Sequence, residues 1–193
     1  MPQLSPLRTT RLVLRPFEPC DVGWLAEMAS DPEVKQLTLD EAVPAEKARS
    51  LAGYGLLIRM RRVQWAITLD GEPCGFICMT RTNELGPPGA YVGFELRRRF
   101  WRRGIATESL RAVVECAFDF FGLDAVLASV LQPNSASMRV LEKAGLRRGG
   151  EVMLPGERLA YWYVLGREET GRAMVTGWRR RWGYRWRGIR LWL

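Results

Sequence analysis

The sequence predicts an α+β fold in which a mixed, mostly antiparallel central sheet is flanked by helices. Short apolar segments bounded by turn residues predict strands, and longer segments with apolar residues at helical spacing predict helices. The resulting order, β-α-α-β-β-β-α-β-α-β-β, is typical of a sheet covered by helices. With 193 residues, 47% of them hydrophobic, the chain can form one domain around its own core.

The first elements are a short strand and two helices. Leu12 to Arg15 predicts a strand because two leucines fall on one face. Asp21 is expected to cap a first helix that ends at Asp31-Pro32. A second helix is predicted from about 45 to 60, although two glycines weaken its pattern.

A meander of three strands is predicted next. Asp70-Gly71 is a typical hairpin turn, and it separates a strand at Val63–Leu69 from its return partner at Pro73–Thr80. The run 83–89 contains Gly-Pro-Pro-Gly and predicts a loop, after which Ala90–Leu96 forms a fourth strand.

The second half of the chain alternates helices and strands. Residues Gly104 to Phe121 carry apolar side chains on one helical face, and Gly122 is suited to end that helix. The remaining predicted elements are a buried strand at Ala125–Val130, a short helix at Ser135–Ala144, and two strands at Gly149–Leu154 and Leu159–Leu165.

Composition excludes several function classes. The chain contains no histidine, and its four cysteines form no CxxC pair, so the sequence excludes the usual zinc sites and any mechanism with a histidine base. We expect no metal, and free thiols in a reducing compartment. No apolar run is long enough for a signal peptide or a membrane span. The sequence therefore predicts a soluble, cytoplasmic protein.

The segment between the fourth strand and the long helix is the most informative. Its small residues Gly104 and Ala106 stand at a helix start, where unpaired backbone N–H groups and the helix dipole favour an anion. Arginines surround the turn at positions 97, 98, 99, 102 and 103. Taken alone, this pattern fits either a phosphate-binding turn or an arginine-rich helix start without a ligand.

This turn resembles the pyrophosphate-binding motif of GNAT acetyltransferases. The resemblance rests on the run Phe100-Trp101-Arg102-Arg103-Gly104-Ile105-Ala106-Thr107-Glu108-Ser109-Leu110. It is greatest to the branch that includes the RimJ/RimL-like ribosomal-protein N-terminal acetyltransferases, as is the opening run Thr9 to Arg15. Trp101 departs from the Gln or Arg usual at its position, which leaves binding through the backbone intact. The resemblance implies that acetyl-CoA, as co-substrate, is bound by Arg102, Arg103, Gly104, Ile105, Ala106 and Thr107.

A second segment resembles the same family. Gln132 to Leu146 is similar to the family's Asn-x-x-Ser-x-x-x-Leu-Glu-Lys-x-Gly-Phe pattern and follows the turn by about 30 residues. The resemblance implies that Asn134 lies where the two central strands splay and bonds the pantetheine arm, and that Ser137 lies near the thiol. By itself, the segment indicates only that Asn134 or Ser135 caps a helix.

The resemblance implies direct attack of an amine on the thioester carbonyl. That reaction needs a deprotonated amine, a donor to the developing oxyanion and a proton for the leaving thiolate. Backbone N–H groups near Leu96 are expected to polarise the carbonyl. Ser137 is the candidate acid, because the tyrosine that many relatives use is Leu141 here. Glu95 is the candidate base, and the alternatives are a paired surface carboxylate at that position or a water chain.

The identity of the amine acceptor stays open. The first two helices and the loop at 81–89 are expected to form its pocket. The body of the chain has no obvious acidic cluster for a polycation, which favours a protein N-terminal amine over a polyamine or an antibiotic. Five aromatic residues fit either the pocket or the core: Trp24, Trp65, Tyr91, Trp162 and Tyr163.

The last part of the chain is a separate basic segment. The resemblance covers about 8–165, whereas residues 166–193 form an extension with eight arginines, two glutamates and four of the eight tryptophans. Arginine with interleaved aromatics suits RNA or an acidic membrane surface. Alternatively, the tryptophans dock on the body or on a second subunit of a homodimer. The rival function is therefore an RNA- or ribosome-binding protein that retains the GNAT fold.

Overall fold

The computed structural model describes residues 5–38, 44, 46–47, 62–83, 88–154 and 157–167. The strands are β1 (Leu7–Arg8), β2 (Leu12–Arg15), β3 (Arg62–Leu69), β4 (Glu72–Thr82), β5 (Gly89–Leu96), β6 (Ala125–Leu131), β7 (Arg147–Leu154) and β8 (Arg158–Gly166). The helices are α1 (Val22–Ser30), α2 (Pro32–Lys35), α3 (Ile105–Asp119) and α4 (Ser135–Lys143), with short 3₁₀ helices at Pro19–Asp21 and Arg98–Phe100. The described strands form one sheet in the order β1-β2-β3-β4-β5-β6-β8-β7, which confirms the predicted α+β class.

Strands β3 to β5 form the predicted antiparallel meander, and β2 pairs antiparallel with β3 at its edge. At the turn between β3 and β4, Asp70 and Gly71 both have left-handed backbone conformations, with φ of +51° and +82°. This is the geometry of the two-residue turns that match the twist of a hairpin. The predicted hairpin at these two residues is therefore confirmed.

The sheet opens at its centre, between β5 and β6. These strands are parallel, and their last paired residues are Tyr91 and Leu127. Beyond that point β5 continues to Leu96 and β6 to Leu131 with no pairing between them. We call this opening the splay cleft. Helix α3 lies in the connection between the two strands, as parallel strands require.

One face of the sheet is covered by α3 and α4. The α3 side chains Leu110, Val113, Val114 and Ala117 are buried, at the helical spacing predicted from the sequence. Full burial of a leucine or valine side chain stabilises the folded state by roughly 1.5–3 kcal/mol. Their sheet partners in this core include Leu14, Trp65, Ile67, Ile77, Met79 and Val92.

Both of these helices end near a left-handed glycine. After α4, Gly145 has φ +96°. Its N–H donates to Glu142 O (3.0 Å), and the Leu146 N–H donates to Leu141 O (3.0 Å), which is a Schellman motif. Gly122, predicted to end the long helix, has φ +62° and lies three residues after the last residue of α3.

The opposite face of the sheet is covered in part by α1 and α2. Trp24, Met28 and Val34 are buried there against Ala66 of β3, with Phe76 packed alongside. This packing places the ends of α1 and α2 near the carboxyl end of β5, where the splay cleft opens.

The structure corrects the predicted role of Asp21. Its side chain does not cap α1. It is 1% exposed and accepts hydrogen bonds from the Arg15 guanidinium, the Glu18 N–H and the Trp24 indole N–H. Asp21 therefore joins β2 to α1 instead of ending an isolated helix.

Several element bounds also differ from the prediction. Asp31 ends α1 as expected, but its side chain then accepts the Glu33 N–H (2.9 Å) and starts α2, which was not predicted. Strand β1 is too short for a sequence pattern to reveal it. Strand β7 begins two residues earlier than predicted and β8 ends one residue later. The predicted helix at 45–60 lies almost wholly outside the described residues, as do positions 84–87 of the predicted loop.

The four cysteines form no disulfide, and they differ in exposure. Cys20 is exposed and Cys74 is buried, whereas Cys78 and Cys116 are half-buried. Burial raises the pKa of the Cys74 thiol to about 11, so this thiol stays protonated at neutral pH. None of the helices described is both long and apolar enough to cross a membrane. The described residues also contain no group of three or more metal-ligating side chains.

Candidate functional site

The site is built on the turn that leads from β5 into α3, residues Arg97–Gly104, which we call the entry turn. Phe100 is buried and anchors the turn in the core. Arg102 and Gly104 both have left-handed backbone conformations, with φ of +59° and +78°. A non-glycine residue in this region costs about 1 kcal/mol or more, so the surrounding structure must hold Arg102 in place.

The start of α3 presents unused backbone donors. The first helical hydrogen bond runs from the Glu108 N–H to Gly104 O (3.1 Å). The N–H groups of Ile105, Ala106 and Thr107 come before that bond and have no acceptor inside the helix. Together with the left-handed residues of the entry turn, they form a concave set of donors suited to an anion.

The five arginines of the entry turn differ in their partners. Three of them are in ion pairs, Arg97 with Glu27 (2.9 Å), Arg98 with Glu33 (2.9 Å) and Arg99 with Glu72. Arg102 and Arg103 have no ion pair to any residue that the structure describes, and Arg103 lies 5.6 Å from the centre of the Phe100 ring. The uncompensated positive charge of the turn is therefore concentrated beside Gly104.

Thr9 and Arg11 of the N-terminal segment hold the entry turn through hydrogen bonds to Glu108, and we call these contacts the staple. They were not predicted from the sequence. Glu108 accepts hydrogen bonds from the Thr9 hydroxyl (2.6 Å) and from the Arg11 side chain (2.7 and 2.9 Å). Arg11 also donates to the carbonyl oxygen of Arg103 (3.2 Å). Burial alone would raise the pKa of Glu108, but the hydrogen bonds from Thr9 and Arg11 outweigh it and lower that pKa.

The signal for this staple was present in the sequence. Thr9 and Arg11 belong to the opening run, and Glu108 belongs to the motif after the entry turn. The sequence alone does not connect the two runs, because nothing in it shows that residues separated by 97 to 99 positions are in contact.

Leu96 lies at the end of β5, on the edge of the splay cleft. The next residue, Arg97, donates its N–H to Cys74 O of β4 (2.8 Å). Because backbone groups alternate in direction along an antiparallel strand, the N–H and C=O of Leu96 point away from β4, toward the cleft. The carbonyl oxygen of Leu96 accepts the indole N–H of Trp101 (2.8 Å).

Trp101 therefore has a structural role that its position in the motif did not reveal. It replaces the Gln or Arg of the resembled family, and its indole fastens the entry turn to the end of β5. The side chain is 39% exposed, so one part of the ring lies in the groove between the turn and the α1–α2 region.

Asn134 caps α4, as the simpler reading of its segment predicted. Its Oδ1 accepts the Ser137 N–H (3.0 Å). Its Nδ2 donates to the carbonyl oxygen of Leu37 (2.9 Å), 97 residues away, which connects the end of the α2 region to the start of α4. Ser137 is half-buried in the first turn of α4, and Ser135 is exposed.

Glu95 is ion-paired but is not on the open surface. Both of its carboxylate oxygens accept hydrogen bonds from Lys35 Nζ (3.0 and 2.9 Å), and the two side chains are only 11% and 10% exposed. Glu95 lies opposite Phe76 of β4, on the sheet face that α1 and α2 cover in part. Lys35 was not foreseen from the sequence.

The aromatic residues divide between core and site. Trp24, Trp65 and Tyr163 are buried, so the core interpretation holds for them. Tyr91 and Trp162 are half-buried, and they pack on Leu127 and its buried neighbours beside the splay cleft. Leu141, which stands where many relatives have a tyrosine, is buried in the main core.

The sequence profile of the acetyltransferase (GNAT) domain matches residues 11–147. This match spans the entry turn, the splay cleft and the start of α4. The chain belongs to the GNAT acetyltransferase family. It is an acetyltransferase, and the GNAT fold inferred from the entry turn and the Asn134 segment is confirmed.

Curated and solved relatives agree with this assignment. The N-acetyltransferase YoaA of Bacillus subtilis is 29% identical over 153 residues, which cover 75% of this chain and 84% of YoaA. An acetyl transferase of Salmonella typhimurium, described as modifying the N-terminal serine of the 50S ribosomal protein L7/L12, has a TM-score of 0.73 at 18% identity and covers 85% of this chain and 100% of its own. An aminoglycoside acetyltransferase solved in complex with coenzyme A has a TM-score of 0.69 at 19% identity and covers 83% and 98%. At these identities the two structures establish a shared fold.

The residues of this acetyltransferase fit a CoA pyrophosphate at the entry turn. The fit rests on the unused N–H groups at the start of α3, on the left-handed Gly104, and on the uncompensated charges of Arg102 and Arg103. The splay cleft begins at the same end of β5 and offers an unpaired strand edge to an extended arm.

Proposed function

We propose that this enzyme transfers the acetyl group of acetyl-CoA directly to a primary amine, with the entry turn as the pyrophosphate site. The observation that carries the proposal is that the entry turn directly follows the carboxyl end of β5, where the splay cleft also opens. Acetyl-CoA supplies the activated acyl group. The backbone from Arg102 to Thr107 holds its phosphates, and Asn134 lies at the far side of the cleft, where its remaining donor can meet the pantetheine arm.

We assign the oxyanion donor to the Leu96 N–H. It points into the cleft because β5 alternates its backbone groups, and no β6 carbonyl pairs with β5 at this level. A fixed backbone donor needs no reorganisation when charge develops on the carbonyl oxygen, which is why such donors are effective in transition states.

Ser137 is the proposed acid for the leaving thiolate. It lies in the first turn of α4, and its half-buried hydroxyl is on the helix whose start borders the cleft. We expect Ser137→Ala to lower kcat by about 10²-fold with little change in the KM for acetyl-CoA. Steady-state kinetics with Ser135→Ala, an exposed neighbour, as control would test this. Equal kinetics for the two variants would remove Ser137 from the mechanism.

Glu95 is the proposed base, and its ion pair with Lys35 supports a competing role in holding α2 against β5. The two roles predict different effects of replacing Glu95 and Lys35 on activity. If Glu95 accepts the amine proton, Glu95→Gln loses about 10²-fold or more in kcat, whereas Lys35→Met retains most activity. If the ion pair only holds α2, both variants lose activity to the same extent, and a water chain must deprotonate the amine.

For the acceptor we propose a protein N-terminal amine. Three described carboxylates beside the groove are ion-paired, Glu27 with Arg97, Glu33 with Arg98 and Glu95 with Lys35. A fourth, Asp31, accepts the Glu33 N–H instead. A polycationic acceptor such as a polyamine or an aminoglycoside requires uncompensated negative charge, and the chain has a formal net charge of +8. A peptide brings one ammonium group and a backbone that can use the groove.

A panel of acceptors tests this proposal. Thiol release from acetyl-CoA would be followed with short peptides that have Ser, Ala or Met N-termini, with the same peptides blocked at the N-terminus, and with spermine and kanamycin. We expect turnover with free N-termini and none with blocked ones. Faster turnover with spermine or kanamycin than with every peptide would contradict the acceptor class while leaving acetyl transfer in place.

The second candidate function is RNA or ribosome binding through residues 166–193. Its support is the composition of that extension, with eight arginines and four tryptophans. Residues 168–193 lie outside the described residues, and the domain bounds 8–165 and 166–193 remain proposals, as does homodimer formation. Salt-sensitive binding to ribosomal RNA that is lost on deletion of 168–193 would favour this function. We propose a cytoplasmic location, where four free thiols remain reduced.

A further inference from the structure

We propose that Arg11 is a positioning residue for the cofactor site: it fixes the orientation of the entry turn and neutralises Glu108 beside it. This inference rests on the proposed pyrophosphate site and assigns a role to an N-terminal residue that lies outside the entry turn. The proposal is carried by a closed set of hydrogen bonds among Thr9, Arg11, Arg103 and Glu108.

The Glu108 carboxylate is saturated by the N-terminal segment. Its Oε1 accepts the Thr9 hydroxyl (2.6 Å) and the Arg11 backbone N–H (3.1 Å). Its Oε2 accepts Arg11 Nε (2.9 Å) and Nη2 (2.7 Å). Isolated surface ion pairs contribute little, but four donors on a carboxylate that is 21% exposed define one geometry.

The same guanidinium sets the direction of one peptide plane in the entry turn. Arg11 Nη2 donates to the carbonyl oxygen of Arg103 (3.2 Å). In a planar trans peptide the C=O and the following N–H point in opposite directions. Because the Arg103 carbonyl faces Arg11, the Gly104 N–H points away from Arg11. A Cβ on Gly104 would lie 3.5 Å from Arg11 Nη2, an ordinary van der Waals contact, so the guanidinium packs directly beside the turn.

Arg11 also changes the electrostatics of the helix start. Glu108 lies in the first turn of α3 and is negatively charged at neutral pH. An unneutralised carboxylate there would compete with a bound phosphate for the positive end of the helix and repel it. Arg11 turns this carboxylate toward the N-terminal segment and cancels its charge, leaving the positive end of α3 to an anion.

Two ligands separate this role from general damage. Coenzyme A carries the pyrophosphate, whereas pantetheine has the same thiol arm without any phosphate. Calorimetry would give the Kd of coenzyme A, and NMR line broadening would give the Kd of pantetheine. The variants are Arg11→Ala, Arg11→Lys and, as a matched loss of positive charge, Arg8→Ala, whose exposed side chain lies on β1 in the same segment.

We expect Arg11→Ala to weaken coenzyme A about ten-fold and pantetheine less than about two-fold. Arg11→Lys should recover part of the loss, because an ammonium can neutralise Glu108 but cannot make all of the guanidinium's hydrogen bonds. Arg8→Ala should bind both ligands like the wild type. Melting curves show whether each variant is folded, and the ratio of the two Kd values remains informative if stability changes.

A parallel loss of both ligands in Arg11→Ala, or an unchanged ratio of the two Kd values, would overturn the positioning role. The proposed function is tested separately by Gly104→Trp and the wild type. Suppose that the wild type prefers coenzyme A to pantetheine and that Gly104→Trp abolishes this preference. If Arg11→Ala then keeps the preference, only the positioning role fails. If the wild type has no preference for coenzyme A, the pyrophosphate site fails and the role of Arg11 fails with it.

Discussion

Gly104 shows how a single backbone angle decides what the site can bind. Its φ of +78° is open to glycine at little cost, and the turn closes onto α3 through it. A larger residue must either strain this angle or unwind the turn. The consequence at the residue scale is that Gly104 contributes to the anion site through its conformation and its N–H, not through a side chain.

Replacing this glycine has a measurable cost. We expect Gly104→Ala to lower the free energy of unfolding by about 1 kcal/mol, because alanine disfavours a left-handed conformation. Gly23→Ala is the matched control. Gly23 is exposed within α1 and has open space at its Cβ position, so alanine there should stabilise the protein by roughly 0.5–1 kcal/mol. Urea denaturation of both variants would measure the two effects, and equal shifts would contradict the strain argument.

At Gly149 a larger residue is excluded by the neighbouring side chain and not by the backbone angle. A Cβ at this position would lie 2.2 Å from the ring of Trp162, and β7 shifts its register against β8 here. We expect Gly149→Ala to destabilise the protein by about 1–3 kcal/mol as the indole is displaced. Arg147→Ala on the same strand is the control, since its side chain is exposed. A change in Gly149→Ala no larger than that of the control would show that the ring moves freely.

At the scale of elements, the junction between β2 and α1 depends on one buried carboxylate. Burial would raise the pKa of Asp21, but hydrogen bonds from Arg15, Glu18 and Trp24 outweigh this effect and lower that pKa. Asp21 and Arg15 lie 2.7 Å apart, with side chains 1% and 20% exposed. Together, these contacts attach the first helix to the sheet.

The lowered pKa sets the sign of a pH dependence. A carboxylate whose pKa is lower in the folded protein contributes stability that is present above its unfolded pKa, about 3.9 for Asp. This contribution is lost as the pH falls through the folded pKa. Glu108 acts in the same direction. We therefore expect the melting temperature to decrease as the pH is lowered below about 4. Asp21→Asn should lower the melting temperature at pH 7 and make it less sensitive to acid.

Melting curves of the wild type and Asp21→Asn between pH 2.5 and pH 7 would test this expectation. Glu115→Gln, an exposed carboxyl on α3 with no ion pair to any described residue, is the control. Parallel curves for the wild type and Asp21→Asn would show that this network does not contribute to acid denaturation.

Most elements could be predicted because they follow simple periodicities. The helical spacing of Leu110, Val113 and Ala117 and the Asp70-Gly71 turn depend on local sequence alone. The misses involve side-chain contacts between different elements. Periodicity does not show that Asp21 is bound by Arg15 of the preceding strand instead of capping a helix, or that Asn134 reaches Leu37.

The candidate site was predicted in the same uneven way. The motif placed the donors of the entry turn correctly at a helix start, because small residues after a strand are a local pattern. The splay cleft was predicted only through the resemblance, which places Asn134 where the two central strands separate. No local pattern shows that β5 and β6 separate after Tyr91 and Leu127. Lys35 and Arg11 were missed because their partners are 60 and 97 residues away.

For the whole molecule, the described fold includes only the first two residues of the basic extension 166–193. Strand β8 ends at Gly166, and the Arg167 N–H still donates to Asp124 O (3.0 Å). All eight described strands lie before that point. We expect a chain ending at Arg167 to unfold cooperatively and to bind coenzyme A with the affinity of the full chain. Circular dichroism and calorimetry would test this, and a loss of cooperative unfolding would show that the extension is part of the folded domain.

We propose above that the entry turn binds the pyrophosphate of acetyl-CoA. Titration of acetyl-CoA into the full-length wild type and into Gly104→Trp, by calorimetry, tests it most directly. The tryptophan should strain the left-handed turn and crowd the approach of the pyrophosphate beside Arg11. A melting curve can verify that the variant is folded. We predict binding to the wild type and none to the folded variant. Equal binding to both proteins, or no binding to a folded wild type, would contradict the account.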